Sequence, residues 1–178
     1  MKRKIEGSQG PSKRQKVDPF KIIEGDLLEH KQDYLIHQTN CIAIKYHGLS
    51  EQVFKKYPEA NLYEKRRKIQ KKGGNKFVGR GVPGTIQVHD CGVINLIGQY
   101  YTGTARFPPK DTPEKRFKWF KRCLKRLSIH FKDKETSIAF PYKIGCGLAG
   151  GDWKKYRKAI EDFCLDNGNI KMVMYKLD

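Results

Sequence analysis

Four glycines interrupt a short stretch near the C-terminal end of the chain. The stretch reads Lys143-Ile144-Gly145-Cys146-Gly147-Leu148-Ala149-Gly150-Gly151-Asp152 and follows the apolar run Ile138-Ala139-Phe140. Glycine permits a positive φ and the close approach of a ligand, and the first amides of a helix lack internal acceptors. The pattern therefore predicts a loop whose amides bind a phosphate or diphosphate. A tight strand-to-helix turn capped by Asp152 is the alternative.

The elements around this loop alternate between strand and helix patterns. Short β-rich runs occur at 20–23, 34–38, 85–88, 93–97, 137–140 and 171–175. One helix is predicted from about Ser50 to Tyr57, continuing after Pro58 toward Lys72. A second begins at Thr112-Pro113 with an apolar stripe every three or four residues, and a third runs from Trp153 to Asn167. This alternation predicts an α/β fold.

The glycines at 145, 147 and 150 formally match the dinucleotide-binding pattern G-x-G-x-x-G. That pattern belongs after the first strand of a βαβ unit, with several strands still to follow. Only one predicted strand follows it in this chain, so a nicotinamide-dependent oxidoreductase is a poor interpretation.

Composition bounds the class of protein. The chain has 178 residues, of which 38% are hydrophobic, and this suits one domain with its own core. No apolar run is long enough to span a membrane and no secretory signal is recognisable, so we expect an intracellular protein. The five cysteines lack C-x-x-C spacing, which favours free thiols over disulfides or a zinc site. We expect no metal.

Positive charge is the other strong bias, with a formal net charge of +18. The cationic clusters 65–72 and 115–126 are interpreted as solvated faces of helices, with weak non-specific nucleic-acid binding as the alternative. Residues 1–18 are predicted to be a disordered basic tail. Its segment Lys13-Arg14-Gln15-Lys16 is typical of a nuclear-import signal, so nuclear localisation is favoured over cytoplasmic; a tail that contacts nucleic acid is the competing explanation.

Several segments taken in order resemble the macrodomain family, which binds ADP-ribose. They are 22–28 with Gly25-Asp26-Leu27, 37–41 with Thr39-Asn40-Cys41, Lys45-Tyr46-His47-Gly48-Leu49, 144–151 and 173–177. The resemblance covers 20–178, so we divide the chain into the tail and one macrodomain over 19–178. It implies a three-layer α/β/α sandwich on a mixed, largely parallel six-stranded sheet. The nearest branch contains ADP-ribose-1''-phosphate phosphatases and small ADP-ribosyl-hydrolases.

The resemblance also implies roles for individual residues. Asp26 matches the acid that accepts a hydrogen bond from the adenine amino group, Leu27 supplies a nearby amide, and Asn40 matches the asparagine that holds the distal ribose. The loop that wraps the diphosphate corresponds to Gly145, Cys146, Gly147, Leu148, Ala149, Gly150 and Gly151. Tyr175 is similar to an aromatic residue beside the adenine. Without the resemblance, Asp26 would be interpreted as a turn acid and Tyr175 as a core residue.

The sequence departs from its relatives where some of them catalyse. Members that remove ADP-ribose from acidic side chains through a lysine adduct need a lysine and an aspartate at positions that read Gln99 and Ala149 here. Asp152 is the only nearby acid that could substitute. Hydrolysis of a terminal 1''-phosphate asks for less: a group that transfers a proton, for which His47 is the candidate, and a cation such as Lys45. The alternative for His47 is an ordinary surface histidine.

The sequence therefore predicts an ADP-ribose-binding macrodomain that converts ADP-ribose 1''-phosphate to ADP-ribose and phosphate. The predicted catalytic residues are Asn40, His47 and Asp152, no cofactor is expected, and we expect a monomer. The alternatives are an ADP-ribosyl-protein hydrolase and a non-catalytic reader of ADP-ribosylated proteins.

Overall fold

The computed structural model describes residues 19–72 and 74–177, so the predicted basic tail and its import signal lie outside the described residues. Its strands are β1 (Lys21–Glu24), β2 (Tyr34–Asn40), β3 (Arg67–Lys71), β4 (Gly74–Val78), β5 (Ile86–Val88), β6 (Val93–Gln99), β7 (Thr136–Pro141) and β8 (Ile170–Lys176). Its helices are α1 (Leu49–Lys56), α2 (Pro113–His130) and α3 (Trp153–Asp166), with single 3-10 turns at Leu27–Glu29 and Pro58–Ala60.

Six strands form one sheet in the order β1-β8-β7-β2-β6-β5. All neighbours are parallel except β5, which runs antiparallel to β6. The carboxyl ends of β1, β8, β7, β2 and β6 therefore meet at one edge, where parallel sheets place their ligand sites. The predicted mixed, largely parallel six-stranded sheet is confirmed.

Helices cover both faces of the sheet. On one face, Phe120 and Leu127 of α2 and Ile160 of α3 are buried against Ile94 and Ile138. On the other face, Val53 and Phe54 of α1 are buried against the sheet. Because both faces are covered, every residue of β6 is buried, and four of its seven residues are Val, Ile or Leu. The three-layer α/β/α arrangement is confirmed.

The helix starts follow their sequence signals. The Thr112 side chain accepts a hydrogen bond from the Lys115 amide and Pro113 is the first residue of α2, as a cap followed by proline predicts. The last helix ends at Asp166, with Asn167 as its C-cap. No helix in the described part of the chain is long and apolar enough to cross a membrane.

The helix predicted to continue from Pro58 toward Lys72 is wrong. After the 3-10 turn the chain forms a separate antiparallel hairpin, β3–β4, in which Lys71 pairs with Gly74. The cationic cluster has no apolar stripe that a helix could bury, and a Gly-Gly pair favours a hairpin turn. The cations of 67–72 therefore lie on an exposed hairpin rather than on a helix face.

Candidate functional site

A cleft of about 660 Å³ opens at the carboxyl ends of β2, β6 and β7. One wall is the β2–α1 loop, the opposite wall is the β7–α3 loop, and the floor consists of strand ends. The lining residues are Gln38, Thr39, Asn40, Lys45, His47, Gly48, Leu49, Ser50, Tyr63, Gln99, Thr102, Gly103, Pro141, Tyr142, Lys143, Ile144, Gly145, Gly147, Leu148 and Ala149. The cleft thus gathers Asn40, Lys45, His47 and part of the glycine-rich loop, which are distant in sequence.

The β7–α3 loop divides its amides into two sets. The amides of Cys146, Gly150 and Gly151 donate to carbonyls inside the loop, at 2.8–3.1 Å. The amides of Gly145, Gly147, Leu148 and Ala149 donate to no acceptor among the described residues. The same four residues line the cleft, whereas the first three do not. Several unpaired amides on one short, concave segment form the kind of site that binds an anion.

Two glycines of this loop are required by packing. A Cβ on Gly145 would lie 2.6 Å from the Tyr156 ring and 2.7 Å from Gln38 Oε1, and φ at Gly145 is 73°. A Cβ on Gly151 would lie 2.5 Å from the Gly145 carbonyl oxygen. Gly147 has open space around it. The loop is therefore pressed against α3 and β2 at its two ends, while its middle faces the cleft.

Asp152 acts as the N-cap of α3. Its carboxylate accepts hydrogen bonds from the amides of Lys154 and Lys155, at 3.0 and 3.4 Å. It does not line the cleft. The capped helix end is thus already supplied with a negative charge, and the anion-binding capacity lies in the loop before it. Cys146, beside it, is half-buried, and burial together with Asp152 raises the pKa of the thiol to about 11, so Cys146 is a neutral thiol at neutral pH.

A buried ion pair that the sequence analysis missed braces the loop from behind. The Arg116 guanidinium binds both carboxylate oxygens of Asp111, and the two side chains are 2% and 0% exposed. Arg116 also donates to the carbonyls of Tyr101, Gly103 and Ala149, and so it joins the β6–α2 segment to the glycine-rich loop. A buried arginine inside a run of surface cations carries no local sequence signal.

Asn40 organises the start of the β2–α1 loop. Its side-chain oxygen accepts hydrogen bonds from the amides of Ile42 and Ala43, and its amide group donates to the Tyr63 hydroxyl at 2.9 Å. A side-chain amide carries two N–H groups, so one remains for a ligand. Asn40 is 6% exposed and still lines the cleft, a position from which it can hold a polar ligand.

His47 and Lys45 are exposed residues on the wall opposite the glycine-rich loop. The loop turns at Gly48, where φ is 60°, and the Ser50 hydroxyl donates to the His47 carbonyl. A Cβ on Gly48 would lie 3.5 Å from the Leu148 side chain, so the two walls approach each other there. One cation and one imidazole therefore face the row of unpaired amides.

Two glutamines form the polar floor. Gln38 Nε2 donates to Gln99 Oε1 at 2.8 Å, and Gln99 Nε2 donates to the Tyr101 carbonyl. Gln38 Oε1 is buried against Gly98 and Gly145 and accepts no hydrogen bond from the described residues. Sequence reasoning missed Gln38 because it falls within a strand run.

Asp26, Leu27 and Tyr175 lie at the far end of the same sheet edge, outside the cleft lining. The Asp26 carboxylate caps the 3-10 turn by accepting from the Leu28 amide at 2.9 Å. Leu27 and Tyr175 are buried in the core on the α1 side, and the Tyr175 hydroxyl contacts Gln32. The core interpretation of Tyr175 fits this placement. From β1 to β2 is three strand spacings, or ~14 Å, so a ligand that reaches both ends must be elongated.

A buried histidine supports the β2 side of the cleft. His37 Nε2 lies 2.6 Å from Asn95 Oδ1, and its ring packs edge-on against Phe54 of α1. Burial lowers the pKa of His37 to about 4, so the ring is neutral near pH 7. No grouping of three His, Cys, Asp or Glu side chains within 19–72 and 74–177 could hold a metal ion.

The comparison with solved structures identifies the fold class. The chain is similar to the macrodomain of Thermus aquaticus DarG, with 20% identity, a TM-score of 0.63 and coverage of 88% of this chain and 97% of that one. It is also similar to the macrodomain of Mycobacterium tuberculosis DarG, with 20% identity, a TM-score of 0.65 and coverage of 88% of this chain and 96% of that one. An Oceanobacillus iheyensis macrodomain with ADP matches at 16% identity and a TM-score of 0.56, over 88% of this chain and 81% of that one.

These similarities show that the chain has the macrodomain fold. The sequence matches no protein-family model and no curated protein.

Proposed function

We propose that the cleft binds ADP-ribose and that the chain hydrolyses ADP-ribose 1''-phosphate to ADP-ribose and phosphate. The observation that carries the binding step is the coincidence between unpaired amides and cleft lining at Gly145, Gly147, Leu148 and Ala149. An Oceanobacillus iheyensis macrodomain of the same fold was solved with ADP, which contains a diphosphate.

The ligand pose follows from the edge of the sheet. The diphosphate lies on the four loop amides, because neutral donors stabilise an anion without the cost of burying a second charge. The adenine extends toward Asp26 at the end of β1, and the distal ribose lies over Asn40 and Gln38. The remaining N–H of Asn40 suits a hydroxyl group of the ribose.

The phosphatase step uses the opposite wall. A water molecule attacks the phosphorus atom, the bond between phosphorus and the ribose 1'' oxygen breaks, and the ribose oxygen takes up a proton. His47 is the proton donor or the base that activates the water, and Lys45 holds the phosphoryl oxygens. Asp152 is a less suitable catalyst than the sequence suggested, since its carboxylate caps α3 outside the cleft.

The lysine-adduct route of ADP-ribosyl removal has no support at the corresponding positions. Gln99 and Ala149 both line the cleft, and neither side chain can form an adduct or accept a proton as a carboxylate does. ADP-ribosyl-protein hydrolysis by other residues and non-catalytic reading remain the outcomes against which the phosphatase is tested.

The test incubates the wild-type chain with ADP-ribose 1''-phosphate and, separately, with a mono-ADP-ribosylated protein. We expect release of inorganic phosphate from the first and no loss of ADP-ribose from the second. His47→Ala should lower phosphate release by roughly 10²–10⁴ while ADP-ribose affinity changes little. Lys158→Ala, on the exposed face of α3 and outside the cleft, is the control and should retain turnover. Release of ADP-ribose from the protein, or release of neither group, would replace the phosphatase with the hydrolase or the reader.

A further inference from the structure

A second groove of about 430 Å³ lies on the other side of the Gln99–Gly103 segment from the cleft. Its lining consists of three cations and three aromatic residues, without an acid: Lys76, Phe77, Arg80, Tyr100, Tyr101 and Lys110. Gln99, Thr102 and Gly103 line the cleft, whereas Tyr100 and Tyr101 line the groove. The proposed phosphatase uses none of the six groove residues.

The aromatic rings of the groove are clustered and partly accessible. The Tyr100 and Tyr101 ring centroids are 4.9 Å apart, and Phe107, which is 53% exposed, continues the row at 4.7 Å from Tyr101. Lys110 Nζ lies 4.7 Å from the centre of the Tyr100 ring, and Arg80 donates to the Tyr100 hydroxyl. Flat π-faces next to cations are what a nucleobase and its phosphate require.

The charge around the groove is one-sided. Between Glu64 and Asp90 the sequence contains no acidic residue and eight cations, of which only Arg66 is buried: Lys65, Arg66, Arg67, Lys68, Lys71, Lys72, Lys76 and Arg80. No ion pair among the described residues includes Lys76, Arg80 or Lys110. The β3–β4 hairpin, which carries most of these cations, is exposed along β3 and pairs with no other strand in the described part of the chain. A two-stranded hairpin of this kind has little core of its own, so its charge is displayed rather than neutralised.

We propose that this groove binds single-stranded nucleic acid. Bases stack on Tyr100 and Phe77, phosphates lie against Lys76, Arg80 and Lys110, and the hairpin extends the contact along the strand. Aromatic stacking distinguishes this occupant from an acidic protein surface, which the cations alone would also attract. Binding in the groove uses its own residues and does not depend on what the neighbouring cleft binds.

The test measures fluorescence anisotropy of labelled oligonucleotides of about 12 nucleotides, oligo-dT and oligo-rU, with the full chain between about 50 and 200 mM salt. We expect affinity that falls steeply with salt and exceeds that for a duplex of equal length. Tyr100→Ala should weaken binding about 5- to 150-fold, because loss of one stacked base costs ~1–3 kcal/mol, while Tyr100→Phe retains it. Tighter binding of oligo-rU would identify RNA as the preferred strand, and equal binding would show that the groove accepts both RNA and DNA.

A matched pair of variants distinguishes oligonucleotide binding in the groove from binding to the positively charged surface in general. Lys121 Nζ lies 5.0 Å from the Phe117 ring on α2, so it repeats the lysine-over-aromatic contact of Lys110 away from the groove. Lys110→Ala should reduce the slope of log affinity against log salt concentration by about one, and Lys121→Ala should leave that slope unchanged. Equal losses in the two variants, tighter binding of duplex, or no binding of either oligonucleotide would overturn the proposal. Thermal melts of all variants exclude misfolding, and His47→Ala, with unchanged oligonucleotide affinity, keeps this result separate from the phosphatase assay.

Discussion

The two loops that face each other across the cleft are held in different ways. The β7–α3 loop is fixed by its own amides, by two glycines packed on Tyr156, and by the Arg116 guanidinium behind it. The β2–α1 loop is tied to the body at its start, through Asn40 and through the buried Arg66 guanidinium, which donates to the Ala43 carbonyl. Beyond that point it exposes Lys45 and His47. One loop presents preorganised backbone donors and the other presents side chains that can transfer a proton. In this account, binding depends on the first loop and turnover on the second.

The largest loss of stability is expected when Arg116, which braces the β7–α3 loop (the rigid loop below), is replaced. Arg116→Met leaves Asp111 buried without its cation and releases the Ala149 carbonyl. Breaking a buried pair in this way costs ~3–5 kcal/mol of unfolding free energy, and ADP-ribose affinity should fall as well. Chemical denaturation and calorimetry measure the two losses. Lys158→Ala removes an exposed ion pair and should change neither; an Arg116→Met protein as stable as wild type would show that the brace is dispensable.

A second substitution tests the rigid loop at one atom. Gly145→Ala forces a Cβ to 2.6 Å from the Tyr156 ring at a position with positive φ, and strain together with overpacking should cost ~2–4 kcal/mol. Gly147→Ala adds the same methyl group in open space and should be nearly neutral for stability. Thermal denaturation compares the two. Similar melting temperatures would contradict the packed geometry of the loop.

Local sequence patterns predict the glycine-rich loop itself but not the distant side chains that support it. The glycine-rich loop, the Thr112 and Asp152 caps and the stripe of α2 depend on neighbours a few residues away, and their positions were predictable. Arg116 and Gln38 act through partners distant in sequence, so nothing local distinguishes them from a surface cation or a strand residue. The β3–β4 hairpin was misassigned because a run of cations is compatible with a helix and with a hairpin, and only Gly73-Gly74 separates them.

The buried His37 in strand β2, just before the β2–α1 loop, should make the free energy of unfolding depend on pH. Burial lowers the pKa of His37 to about 4, while an unfolded histidine titrates near 6.5. Between these values the unfolded chain binds the extra proton, so stability is lost as pH falls from about 7 to about 5, by about 2 kcal/mol from this group. In His37→Gln this share of the loss should disappear. If the free energy of unfolding changed with pH equally in the wild type and in His37→Gln, His37 would be excluded as the source of the change.

The smallest effect is expected at Asn40, where one substitution can distinguish its role in holding the β2–α1 loop from its role in binding the ligand. Asn40→Asp keeps the oxygen that accepts from Ile42 and Ala43, and its second oxygen can accept from the Tyr63 hydroxyl in place of the present donation to it. The substitution replaces the N–H that faces the cleft with a charge that repels a diphosphate. We expect a melting temperature near that of wild type and a loss of ADP-ribose affinity of about tenfold, or ~1.4 kcal/mol. Asn40→Ala should lower both. Wild-type affinity in Asn40→Asp would show that the ligand does not reach this residue.

The central claim is that the unpaired amides of the rigid loop form an ADP-ribose site, and titration calorimetry of the full wild-type chain tests it most directly. The account predicts saturable binding of ADP-ribose and much weaker binding of AMP, which lacks the diphosphate and the distal ribose. Gly145→Ala should weaken ADP-ribose binding, and His47→Ala should not. Absence of ADP-ribose binding by the wild-type chain, or equal affinity for ADP-ribose and AMP, would contradict the claim.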